Sequence, residues 1–229
     1  MSDTKQRLLD GALAAVSQHG IAGVSARTIA AAAGVNQALI FYHFGTVDDL
    51  LAAACTTSTA ARVSHYADRF AEVATLRELL DVGRDLHDQE KGLGHVSILA
   101  QLLAGAQRDE RLAAPTAAAL QLWINEIESV LRRVLAGSPF AEIADIGGLA
   151  RALSAAFVGL ELYEGVDADG AGQAFAALEQ LAVLVDVVDN LGPVPRRAVQ
   201  AAVHRVAGRH GHRNPEPTGP KERQRGRRS

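Results

Sequence analysis

Residues 29–51 read IAAAAGVNQALIFYHFGTVDDLL. Small apolar residues fill the first part, glycine interrupts them at position 34, and an Asn-Gln pair leads into an aromatic cluster. Ala30, Ala31 and Ala33 are small enough to let two helices approach closely, Gly34 permits a turn, and Val35 can plug the angle between them. Asn36 suits the cap of a short helix reaching Phe44. Thr46, with Asp49 three residues on, suits the start of the next. Upstream, Ser25 can cap the helix that turns Ile29, Ala30 and Ala33 inward. Before it, Leu8, Leu9, Ala12, Leu13 and Val16 recur at helical spacing from Thr4 to Gln18, and Gly20 ends that run. Two short helices joined by a glycine elbow, with a third helix before them, match a helix-turn-helix unit.

Such a unit presents the first residues of its second short helix to base edges. A glutamine there can pair with adenine and an alanine methyl can meet thymine, which makes Gln37 and Ala38 the candidate base readers. Thr28, Tyr42, His43 and Thr46 carry groups able to donate to phosphate oxygens, as can backbone amides where the helix after Thr46 begins. Ile40, Phe41 and Phe44 are expected to pin the helices together.

Beyond Leu50 the pattern changes to long helices, expected over 47–70, 75–90, 95–107, 116–136, 147–165 and 171–191, with a break near Pro115. The fold class is therefore all-α: a helix-turn-helix domain over 1–46, a helical domain over 47–192, and a tail over 193–229. From Pro195 the tail holds PRRAVQAAVHRVAG, a basic amphipathic stretch, and it ends too polar and Pro/Gly-rich to pack alone.

Charge divides along the same lines. The 229 residues carry a formal net charge of -3. Residues 193–229 hold ten Lys or Arg against two acidic residues, and residues 1–192 hold thirteen against twenty-four. DNA recognition must then rest on local geometry, because the global field opposes it. Apolar runs are interrupted by charge before membrane-spanning length, and the chain opens without an apolar leader, so a cytoplasmic protein is expected. The single cysteine, Cys55, is expected to act as a buried small hydrophobe.

No nucleophile elbow, phosphate loop or HExxH motif is present, so no catalytic residue is assigned. Glu161 and Glu164 have no sequence-evident partner for acid–base work. His204, His210 and His212 crowd the tail without a matching cysteine or carboxylate, which points to adventitious metal affinity. Neither a metal nor a cofactor is expected. In the long helices, Tyr66, His87, His95, Gln101 and Trp123 are polar or aromatic groups among apolar neighbours, the composition of a small-molecule pocket.

VSARTIAAAAGV, NQALIFYHF and TVDDLL, with the apolar first helix and Gly20, resemble the TetR family of bacterial transcriptional regulators over roughly residues 5–52. The resemblance implies a homodimer that offers two such domains to a palindromic operator in double-stranded DNA. It implies a repressor released by a small, largely apolar effector, and a protein that joins the nucleoid when bound. It also places Thr28, Gln37, Ala38, Tyr42 and His43 at DNA-contact positions. It favours a dimer interface of four helices from Ala156, Leu160, Tyr163, Leu178, Leu181, Val185 and Val188. One position departs: Val47 stands where family members usually carry a phosphate-contacting lysine. That departure keeps open a second reading, a helical ligand-binding or protein-interaction dimer without operator specificity.

Overall fold

The computed structural model describes residues 3–91, 95–107, 109–138, 140–141, 144–192, 195, 197–199, 201, 202 and 205. Nine helices follow in order among them: α1 Asp3–His19, α2 Ala26–Ala33, α3 Ala38–Phe44, α4 Val47–Glu72, α5 Leu76–Lys91, α6 His95–Ala106, α7 Glu110–Val134, α8 Ile146–Glu164 and α9 Ala168–Asp189. A single 3-10 turn, Ile21–Gly23, lies between α1 and α2. The described residues contain no strand. Of the tail, only scattered described positions up to Arg205 are seen, helical and mostly exposed. The expected polar end lies outside the described residues.

The elbow forms for the reasons the sequence suggests. Ser25 Oγ accepts from the amide of Thr28 at 3.2 Å while Thr28 Oγ1 accepts from the amide of Ser25 at 2.8 Å, so each satisfies an amide that helix geometry leaves without a carbonyl. Gly34 ends α2 at φ 62°, a left-handed conformation in which a Cβ is strained. Asn36 Oδ1 accepts from the amide of Ala38 at 2.9 Å and starts α3. Thr46 Oγ1 accepts from the amide of Asp49 at 3.0 Å and starts α4, which meets α3 at 66°.

Two cores result. The first joins Leu8, Leu9, Val16, Ile29, Ile40 and Leu50 to Ile98, Leu102 and Ala119, so α6 and α7 close the helix-turn-helix from behind. The second gathers Tyr66, Phe70, Leu79, Leu86, Val130 and Leu131. Helices α4 and α7 run through both, and Trp123 packs against each. At the far end of α4 the Arg133 guanidinium donates to the carbonyls of Phe70 at 2.6 Å and Val73 at 3.1 Å, closing the helix that links the cores.

Three expectations change. Pro115 lies inside α7 instead of before it. Asp109 caps the helix through the amide of Arg111, and the proline near this end costs one backbone hydrogen bond, to the Arg111 carbonyl, which the remaining turns of a 25-residue helix absorb. Phe41 does not pin the elbow but stands half exposed, whereas Ile40 is fully buried and Phe44 packs on the first core. Finally, α8 and most of α9 are each long and apolar enough to cross a bilayer. The expectation of no such stretch rested on uninterrupted runs, and the few charges here are spread too thinly to lower the average.

Helices α1 and α2 touch backbone to backbone. A Cβ at Gly11 would lie 2.6 Å from the Cβ and 2.8 Å from the amide nitrogen of Ala33. Gly83, on α5, has nothing within 4 Å of the corresponding point. Gly11→Ala is expected to destabilise the chain by about 1–3 kcal/mol through overpacking. Gly83→Ala is expected to be neutral or stabilising by up to about 1 kcal/mol. Denaturant unfolding of the two variants checks the contrast.

Candidate nucleic-acid interface and effector cleft

Helix α3 presents a largely uncovered face. Gln37 and Ala38 are exposed at its start. Tyr42 is 82 % exposed, the most uncovered large aromatic side chain in the described structure, and its ring meets that of His43 edge-on at 4.9 Å. An amphipathic phenol left in water beside an exposed amide side chain contributes nothing to the fold, so this face is available to a partner. Val47 does the opposite. It packs against the first core, so the position where a lysine would extend is held inward by apolar contact.

Thr28 and Thr46 are differently placed from Tyr42. Both hydroxyls are engaged locally: Thr28 Oγ1 also donates to the Ser25 carbonyl at 3.0 Å, and Thr46 Oγ1 donates to Asp49 Oδ2 at 2.6 Å. Their immediate work is to start α2 and α4. Among the cations near this face, Lys5 lies over the Phe44 ring, 5.3 Å from its centroid. Arg7 turns back to donate to the carbonyls of Ala33 at 2.9 Å and Gly34 at 2.7 Å. Arg27 is exposed. Lys5 and Arg7 thus serve the elbow.

The second site lies between α4, α5, α6, α7, α8 and α9. Phe70, Leu86, Trp123, Phe157 and Phe175 are among the residues that line a cleft of about 820 Å³, its open mouth included. Its one hydroxyl, Ser154 Oγ, donates to the Ala150 carbonyl of its own helix. The wall is therefore apolar almost throughout, with aromatic faces that suit a hydrophobic body. Of the expected pocket residues, Trp123 lines this cleft. His87 stands just behind it, its ring against Phe157 and Phe175. Tyr66 is buried beside Trp123 and donates its hydroxyl to Glu90 at 3.0 Å, and burial followed by that carboxylate pushes its phenol pKa up. It supports the wall from outside. The side chain of His95 lies outside the described residues.

Gln101 does something else. Its Oε1 accepts from the amide of Ile21 at 3.1 Å, tying α6 to the turn between α1 and α2. One turn along α6, a Cβ at Gly105 would come within 3.2 Å of the Ile21 side chain. Arg111, at the start of α7, pairs with Asp48 at the start of α4 at 3.0 Å. Both contacts join the elbow to the helices around the cleft. Neither was anticipated, because partners eighty and sixty-three positions apart leave no local pattern.

Of the expected interface residues, Ala156, Leu160 and Leu178 line the cleft and Val185 packs against the second core. Val188 is partly buried. Tyr163 and Leu181 are exposed, along with Leu162, Val183, Leu184 and Val187. The last two helices thus carry an uncovered apolar surface, turned from the one inferred by sequence. Cys55 is buried, and burial pushes its thiol up to about 11, as a small hydrophobe requires.

The family model for bacterial regulatory proteins of the tetR family matches residues 8–54. No curated protein matches the chain. Among solved structures, one described as a TetR-family transcriptional regulator from Rhodococcus sp. is 24% identical, with a TM-score of 0.67 over 81% of this chain and 99% of its own. The transcriptional regulator FadR from Bacillus subtilis, in complex with stearoyl-CoA, is 16% identical with a TM-score of 0.65, covering 78% of this chain and 97% of its own. The multidrug binding protein EbrR, complexed with imidazole, is 28% identical with a TM-score of 0.54, covering 78% and 96%. Residues 8–54 carry the TetR-type helix-turn-helix domain, and over about four fifths of the chain the fold is that of these regulators.

Gln101→Ala removes the acceptor of a partly buried amide. It is expected to lower stability by about 1–2 kcal/mol, measured by denaturant unfolding, while Gln121→Ala on the exposed side of α7 costs under about 0.5 kcal/mol.

Proposed function

We propose that the chain, which carries a TetR-type helix-turn-helix domain, is a cytoplasmic, non-enzymatic transcriptional repressor that leaves a palindromic operator when an apolar small molecule fills the cleft. The observation that carries this reading is the uncovered start of α3, with Gln37, Ala38 and Tyr42 projecting from an elbow whose inner face, Ile29, Ala30, Ala33 and Ile40, is buried. Gln37 and Ala38 read base edges in the major groove. Tyr42 and His43 hold phosphates, and Thr28 and Thr46 contribute chiefly by setting the helix starts. With Val47 turned inward, one cationic contact is missing and the salt dependence of binding is correspondingly shallow.

Two half-sites need two elbows at fixed spacing. The exposed apolar residues of α8 and α9 supply the subunit contact, with Tyr163 and Leu181 joined by Leu162, Leu184 and Val187. The effector acts through the helices it touches. A ligand in the cleft leans on α6 and α7, and the Gln101–Ile21 and Arg111–Asp48 contacts carry that displacement to the elbow. A preference of about 1–3 kcal/mol for one packing changes operator affinity about 5- to 150-fold. The stearoyl chain of the stearoyl-CoA bound to FadR is of the hydrophobic kind this wall would accept.

Tyr42→Ala is expected to weaken binding about tenfold on every duplex, and Gln37→Ala to change base preference at one position per half-site. Selection from a random duplex pool, followed by titration of the selected palindrome, checks both. If the wild-type protein binds the palindrome no better than scrambled duplex, operator recognition is wrong and the reading of a helical dimer without it stands. Leu181→Glu with Leu184→Glu is expected to yield monomers with at least tenfold weaker operator binding, read by analytical ultracentrifugation and the same titration.

A further inference from the structure

Behind the cleft, α5 and α8 bring together His87, Glu161 and Glu164. His87 is 5 % exposed. Its Nδ1 lies 2.7 Å from Glu161 Oε2 and its Nε2 lies 2.8 Å from Glu164 Oε2. In sequence these carboxylates have no evident partner and no metal site is expected; the partner is a histidine seventy-four and seventy-seven positions earlier on a different helix. The two contacts are not equivalent. Nδ1 and Glu161 Oε2 are both buried and close, yet they do not meet at a hydrogen-bonding angle, and neither has another hydrogen-bond partner. A donor and an acceptor left in that condition is rare in a folded interior and asks for a group between or beside them.

We propose that this cluster is a binding site for a divalent transition-metal ion of the zinc type. The donor chemistry fits. One imidazole nitrogen with carboxylate oxygens suits borderline ions such as Zn²⁺ or Co²⁺, whereas Mg²⁺ and Ca²⁺ prefer oxygen alone. Spacing fits as well: Glu161 and Glu164, three apart on α8, share a helix face. One donor atom from each residue lies within 4.8 Å of the others, and a small rotation of the long Glu161 side chain would open its 2.7 Å approach to Nδ1 to the about 3.4 Å between tetrahedral zinc ligands. An imidazole gives one nitrogen to a metal. Nδ1 and Glu161 are the direct ligands, because these are the atoms without hydrogen-bond partners. Glu164, facing Nε2, holds the ring and its tautomer in a carboxylate–histidine–metal arrangement, and water completes the shell.

Charge points the same way. Two carboxylates face one imidazole, and Arg84, one turn earlier on α5, faces Glu179 of α9 at 2.6 Å instead. A divalent cation would balance the pair. It would also lock α5 to α8 directly behind Phe157 and Phe175, so metal would set the shape of the cleft's aromatic end. The site stands independently of DNA recognition and is tested without it.

The test uses the full chain with His204, His210 and His212 changed to alanine, which removes the tail's own metal affinity. Co²⁺ is titrated by calorimetry and by its visible absorption bands. One Co²⁺ per chain is expected, displaced by Zn²⁺, with binding lost in Glu161→Gln and weakened at least tenfold in Glu164→Gln, while circular dichroism is unchanged. Absence of stoichiometric Co²⁺ in the tail-silenced protein overturns the proposal, as does unchanged affinity in a folded Glu161→Gln. Should that variant not fold, Glu164→Gln decides: a tenfold loss supports the site and unaltered affinity overturns it.

Discussion

The approach of α1 to α2 at Gly11 and Ala33 is the constraint on which the rest depends. With no side chain at position 11, the two backbones come close enough for Arg7 to reach the carbonyls of Ala33 and Gly34. Those are acceptors that the end of α2 leaves over, and the guanidinium fixes the left-handed Gly34 against α1. The direction of α3 follows from that fixed corner, and with it the exposure of Gln37 and Tyr42. The exposure of that face therefore rests on a contact in which neither Gln37 nor Tyr42 takes part.

The helix-turn-helix was legible because its determinants are local. Ser25, Gly34, Asn36 and Thr46 each act within four residues, and each acts as its chemistry suggests. The same locality gives Thr28 a second task and Phe41 a different place. Thr28 has a hydroxyl suited to phosphate, but the amide and carbonyl of Ser25 engage it first. Phe41 is hydrophobic, yet the helical turn gives the inward place to Ile40. Pro115 misled because a proline ends a helix only where the lost bond and ring clash cannot be absorbed, and a capped helix near its start can absorb them.

In the second half of the chain, legibility fell with sequence distance. Helical periodicity marked the six long helices, but it could not tell which apolar face meets the cleft and which meets solvent, since both look alike along the chain. Ala156, Leu160 and Leu178 went one way and Tyr163 and Leu181 the other. Polar pairs were harder still. Gln101 with Ile21, and His87 with Glu161, are created by packing and carry no spacing rule. Gln101 and His87 stand out in sequence as polar groups within apolar helices, and the structure supplies the partner that explains each.

Trp123 is the chain's sole indole. It stands against both cores, lines the cleft, and faces Tyr66 and Phe70 at ring distances of 6.4 and 6.3 Å. A single indole fluorophore thus stands where the cleft and the two cores meet. Its emission spectrum needs no label and no deconvolution among emitters of the same kind, which gives this protein a built-in optical gauge of its own state.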